Sequence, residues 1–146
     1  SLTTDIIVGF PGETEEDFKE VLDFAKLVKF DRLGAFAYSR EEDTPADKLP
    51  NHLEDDVKND RRDKLMLVQQ QISQELNEKK IGNIYEVYIE DIDEEANFFI
   101  GRSYMDVPFE DGVIYIKYNS LYGINEFVKC KITDSYEYDL VGEIID

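Results

Sequence analysis

At Gly82 the spacing of apolar residues changes, and that change restricts the chain to two unlike parts. Before it, over residues 54–80, the pattern Val57, Arg61, Lys64, Leu65, Val68, Ile72 and Leu76 steps by threes and fours and predicts one long helix, ended by Gly82. After it, the step is two, in "IYEVYIEDID", "NFFIGRSY", "GVIYIKY", "EFVKCKITDS" and "YDLVGEII". A step of two sends successive side chains to opposite faces of a strand. Five such strands, separated by turn-like "DEEAN", "DVPFEDG", "NSLYGIN" and "SYEY", predict a small antiparallel β-barrel of the OB-like kind over residues 82–146.

Residues 1–81 read differently. "DIIVGF" at 5–10 is a continuous apolar run, expected to be a strand buried on both faces as in a parallel sheet. Thr14 then stands before Glu15, Glu16 and Asp17, an N-cap followed by acids in a first helical turn. Phe18, Val21, Leu22, Ala25 and Val28 carry the helical spacing through residues 15–29, and "RLGAFAYS" at 32–39 is a second apolar run. Strand, helix and strand in that order predict a right-handed βαβ unit. The segment "REEDTPADKLPNH" has no periodicity and two prolines, and is expected to be a loop. The fold class is therefore α+β in two parts, with a domain division between residues 81 and 82.

Gly9, Pro11 and Gly12 lie where the first strand ends and the helix begins, the place where open α/β sheets bind ligands. Without a side chain at Gly9, a ligand ring has access to the backbone. The "GFPG" stretch lacks the spacing of a dinucleotide fingerprint and the Lys-Ser or Lys-Thr of a phosphate loop, so on residue types it also fits a simple tight turn.

The chain has a net charge of −18, and residues 82–146 hold 15 acids against 4 bases, net −11. Such a surface repels nucleic-acid phosphates and anionic lipid and attracts basic partners. Cys130 is the only cysteine and His52 the only histidine, which excludes an internal disulfide, a four-cysteine zinc site, a two-histidine metal site and a self-contained iron–sulfur cluster. "DEE" at 93–95 lacks the glycine and terminal glutamate of a calcium loop and is expected to be a hairpin turn, so no metal ligands are assigned. No run approaches the ~20 apolar residues of a membrane span, and "SLTTD" lacks the features of a signal peptide, so a soluble, cytoplasmic protein is expected. The abrupt entry into a strand, without methionine, leads us to expect a piece of a longer chain.

"TTDIIVGFPGETEEDF" followed by "FDRLGAFAYSREEDTPA" resembles the fifth and sixth strands of the barrel in radical S-adenosylmethionine methylthiotransferases. The last five strands are similar to the TRAM domain of that family. Two branches are in question. MiaB-like members modify adenosine in transfer RNA and usually read "YSPRPGTPA" where this chain has "YSREEDTPA" at 38–46. RimO-like members modify an aspartate of a small-subunit ribosomal protein, and "RRDKLMLVQQQISQELNEKKIG" and "GRSYMDVPFEDGVIYI" are more similar to theirs.

The resemblance implies S-adenosylmethionine and two 4Fe-4S clusters in the full-length enzyme, with Ile7, Val8, Gly9 and Tyr38 flanking the S-adenosylmethionine. Arg102, Tyr104, Asp106 and Glu110 fall in the segment that best separates the two branches and are expected to form part of a substrate-binding face, where carboxylates pair with Lys and Arg of the ribosomal protein. The family's CxxxCxxC motif and its three upstream cysteines are absent from this chain, which therefore holds neither cluster and contributes no catalytic residue of its own. It reads as the carboxy-terminal part of an enzyme that methylthiolates the β-carbon of an aspartate. The alternatives are MiaB-like modification of transfer RNA adenosine and a binding module without catalysis. An acidic TRAM domain disfavours nucleic acid, and the open edge of a two-stranded sheet invites an artificial dimer.

Overall fold

The structure, a computed structural model, describes residues 2–103 and 113–145 of the 146-residue chain. It divides into two units, Leu2–Ile72 and Ser73–Asp146.

In the first unit, strand β1 (Thr3–Val8), helix α1 (Glu15–Val28) and strand β2 (Arg32–Ala37) form the expected βαβ, with β1 and β2 parallel and Ile7 opposite Phe36. Helix α1 starts at Thr14 in a full capping box: Asp17 N donates to Thr14 Oγ1 at 3.1 Å and Thr14 N donates to Asp17 Oδ2 at 2.9 Å. It ends at Lys29, whose backbone turns left-handed with φ 54°. A 3-10 turn at Ala46–Lys48 and a long helix α2 (Asp55–Glu78) follow. Val8, Phe18, Ala25, Phe30, Leu33, Ala35 and Leu65 make this unit's apolar core.

Strand β1 is not buried on both faces as its apolar run predicted. Val8 is fully buried, while its neighbour Ile7 is 62% exposed and Phe36 on β2 is 55% exposed. The sheet is covered on one face by α1, and among the described residues it has two strands, each with one unpaired edge.

The buried stripe of α2 also sits slightly off the expected one. Lys58, Arg61, Leu65, Gln69, Ile72, Ser73 and Asn77 are buried, whereas Lys64 is exposed and paired with Asp60 at 2.9 Å. Beyond the helix, Gly82 adopts φ 89° and its N–H donates to Ile132 O at 2.7 Å.

The second unit contains a closed barrel of β3 (Ile84–Asp93), β4 (Phe98–Ser103), β5 (Ile114–Lys117), β6 (Phe127–Ser135) and β7 (Leu140–Ile144), ordered β3-β4-β5-β7-β6. The barrel is mixed, which corrects the antiparallel expectation: β5 and β7 pair in parallel, Ile114 opposite Leu140. The reason is parity. Strand directions that alternate around a ring return to their starting sense only if the number of strands is even, so a ring of five must contain a parallel pair.

The barrel core is Val87, Ile89, Phe99, Ile114, Ile116, Val128, Cys130, Ile132 and Leu140, the inward half of each alternating strand. Register shifts between Ile89 and Asp91 and between Ile132 and Asp134 bend β3 and β6 around it. Gly142 is needed where β7 crosses β6, because a Cβ there would overlap Cys130 Sγ and approach Lys131 O at 2.8 Å. Asn77, at the end of α2, donates from Nδ2 to Tyr136 O and Glu137 O, both at 3.0 Å, and so satisfies the β6–β7 turn.

Candidate functional site

The ends of β1 and β2 meet through one backbone bond, Tyr38 N donating to Val8 O at 2.8 Å. After Val8 the chain turns at Gly9, buried and with φ 80°, a left-handed conformation that favours glycine. A Cβ on Gly9 would overlap Cγ of Lys58, so the missing side chain makes room for the stem of a helix lysine. The Lys58 side chain is 8% exposed, its ammonium lies 3.1 Å from Asp55 Oδ1 and 5.5 Å from the centroid of the Tyr38 ring.

Tyr38 packs edge-on to Phe10 at 5.4 Å and lies 6.1 Å from the His52 ring. His52 Nε2 donates to Asp47 O at 3.1 Å. The Tyr38 hydroxyl is buried and has no hydrogen-bond partner among the described residues. A buried hydroxyl without a partner costs free energy that a polar ligand atom would recover.

A chain of charge-assisted bonds braces the turn. Gly9 N donates to Glu13 Oε2 at 3.0 Å, and Arg61 Nη1 donates to Glu13 Oε1 at 2.8 Å and to Glu13 O at 3.1 Å. Arg61 Nη2 donates to Glu15 Oε1 at 2.8 Å. The Arg61 side chain is 5% exposed and stacks over the Phe18 ring at 5.6 Å. Burial alone pulls its pKa down, but the bonds to Glu15 and Glu13 outweigh that and leave it raised, so the guanidinium stays charged. Gly12 N donates to Asn51 O at 3.0 Å, which ties the same turn to the loop before α2.

The sequence-predicted ligand residues separate. Gly9 and Tyr38 come together at the strand ends, Val8 serves the core beneath α1, and Ile7 faces the opposite, exposed side of the sheet. Phe10, Glu13, His52, Lys58 and Arg61 were not singled out for this site. The available signal was Lys58 and Arg61 at helical spacing from Leu65, charges set in an apolar stripe.

Among the described residues, those at the strand rim present one unpaired polar atom, the Tyr38 hydroxyl, with Lys58 occupying the side-chain direction of Gly9. They do not fit an iron–sulfur cluster. Cys130 points into the barrel core, and burial, with a lesser push from Glu143, raises its thiol to about 12.

On the barrel, Arg102 faces outward from β4 and donates from Nε to Glu90 Oε2 at 3.0 Å. Tyr104, Asp106 and Glu110 lie outside the described residues. Lys129 stands opposite Glu86 in the β3–β6 register, and Lys131 opposite Glu143 in the β6–β7 register. Three of the four bases in residues 82–146 thus each have a carboxylate bonded or opposite them, leaving the negative surface dominant.

Residues 81–145 match the family described as TRAM domain. Over nearly its whole length the chain is similar to proteins named Ribosomal protein uS12 methylthiotransferase RimO. That of Clostridioides difficile (strain 630) is 57% identical over 99% of this chain and 32% of the relative. That of Alkaliphilus oremlandii (strain OhILAs) is 50% identical over 98% of this chain and 33% of the relative. That of Petrotoga mobilis is 45% identical over 100% of this chain and 34% of the relative. The chain spans about a third of the length of these curated relatives. The resemblance to methylthiotransferases with a TRAM domain is borne out, on the RimO-like side. No described helix is long and apolar enough to cross a membrane.

Proposed function

We propose that this chain, a relative of the RimO-named methylthiotransferases with a TRAM domain at residues 81–145, is one third of an enzyme that methylthiolates the β-carbon of an aspartate in a small-subunit ribosomal protein. The single observation that carries the reading is 57% identity over 99% of the chain to a protein named for that activity on uS12.

In this reading the βαβ unit is part of a radical S-adenosylmethionine barrel, and bound S-adenosylmethionine with its clusters supplies the radical and methylthio chemistry. This chain's own work is to bind and to orient. The rim at Gly9 and Tyr38 flanks the cofactor, with the Tyr38 hydroxyl as the polar contact and Phe10 as an apolar wall. The barrel attracts the substrate: net −11, with three of its four bases facing its own carboxylates, it suits a Lys- and Arg-rich protein and repels phosphates. Arg102, Tyr104, Asp106 and Glu110 are the proposed contact face. Transfer RNA remains the competing substrate.

The test uses the full-length protein containing this chain, reconstituted with iron and sulfide and given S-adenosylmethionine. A mass gain of one methylthio group on an aspartate of the purified ribosomal protein is the expected result, with binding that weakens steeply as salt rises. The same gain on a transfer RNA adenosine, with the ribosomal protein unchanged, overturns the reading.

A further inference from the structure

We infer that Arg61, acting through Glu13, is a positioning residue that sets the Gly9 amide and the turn after β1 for ligand binding at the strand rim. The inference rests on the proposed ligand role of that rim.

Stability alone does not require an ion pair at this position. A buried ion pair loses hydration on both partners, and an apolar residue of similar volume in its place is often neutral or stabilising. At position 61 an apolar side chain would have Phe18 and the Leu65 core close by. Glu15, one of the two partners, is 82% exposed, so its bond is largely screened by water. Arg61 Nε, buried, has no partner among the described residues. The bonds to Glu15 and Glu13 outweigh the burial penalty and keep the guanidinium charged, so what separates this ion pair from an apolar filler is the geometry it imposes.

That geometry centres on Glu13. One carboxylate oxygen takes the Gly9 N–H at 3.0 Å and the other takes Arg61 Nη1 at 2.8 Å, while Glu13 O is held by the same guanidinium at 3.1 Å. Both the side chain and the backbone of Glu13 are fixed to a helix 48 residues later in the chain. A turn with φ 80° at Gly9 would otherwise sample many conformations. Lys58, on the same helix, closes against Gly9 and over Tyr38. The first turns of α2 thus clamp both strand ends, and Arg61 is the part of the clamp that works through charge.

The test uses Arg61→Met, Arg61→Lys and Glu13→Gln in the full-length protein, with S-adenosylmethionine as the probe. Calorimetry should show about tenfold weaker binding for Arg61→Met, a change of about 1.4 kcal/mol, and a smaller loss for Arg61→Lys, which keeps the charge but not the fork. The KM for S-adenosylmethionine should rise while kcat at saturation stays near wild type. Amide exchange at Gly9 should accelerate in Arg61→Met while the amide of Leu65 stays protected. The double variant Arg61→Met/Glu13→Gln should be no worse than the weaker single one, as expected for one relay. If the wild type binds and Arg61→Met binds equally well with unchanged Gly9 exchange, the positioning role is overturned. A wild type that fails to bind S-adenosylmethionine sinks the proposed function instead. Should Arg61→Met not fold, Glu13→Gln carries the same comparison.

Discussion

Every strand of the barrel has a hydrogen-bonded neighbour on both sides, whereas β1 and β2 have only each other among the described residues. The interiors differ in the same sense. Among the described residues, the buried polar ones of Ser73–Asp146 are uncharged, Ser73, Asn77 and Ser103, while Leu2–Ile72 buries Lys58 and Arg61. Glycine shows the contrast in miniature. Gly142 lets two strands approach over an apolar core, and Gly9 lets a charged side chain pass a strand end. The barrel closes on an apolar core, and the βαβ unit buries paired charge beside its strand rim.

The sharpest way to break this contrast is to fill the barrel's crossing point. Gly142→Ala drives a methyl into Cys130 Sγ and toward Lys131 O, and should cost about 3 kcal/mol, the upper end of overpacking. Urea unfolding followed by tyrosine signals measures it. A loss below about 1 kcal/mol would show that the barrel yields, and the contrast would weaken.

A smaller effect comes from the thiol that Gly142 covers. The buried Cys130 thiol is raised from its ordinary 9.0 to about 12, by burial first and then by Glu143. Above pH 9.0 the unfolded chain releases a proton that the folded barrel retains. The stabilisation is therefore complete below pH 9.0 and is lost as pH rises toward about 12. Between pH 8 and pH 10 wild type should lose about 1.4 kcal/mol more than Cys130→Ala. Equal losses in the two proteins would place the sensitivity elsewhere.

The smallest effect belongs to the βαβ unit. Thr14→Ala removes one arm of the capping box and should lower stability by about 1 kcal/mol, read by the same unfolding curve.

Local structure was legible because it depends on neighbours in the chain. The switch of period at Gly82 marked where helix gives way to strands, and Thr14 before three acids marked the start of α1. The βαβ order also announced a parallel pair. The parallel pair is absent from the sequence expectation although a closed ring of five requires one, and alternation within each strand does not tell which strands form it. The apolar run in β1 looked like burial on both sides, yet Ile7 is exposed, since a run of apolar residues does not reveal what covers them. The clamp was least legible. Arg61 was noticed within the helical stripe, but its partner Glu13 is 48 residues earlier, and a stripe offset by one position hid Lys58 behind Val57. Long-range polar pairing leaves no period to read.

The parallel closure also bears on how the molecule is made. Strand β7 lies between β5 and β6, so before Leu140–Ile144 have been synthesised those two strands have no partner along that seam. The edges of β5 and β6 along that seam therefore stay open until β7 is made, and only the last strand in the chain closes the ring.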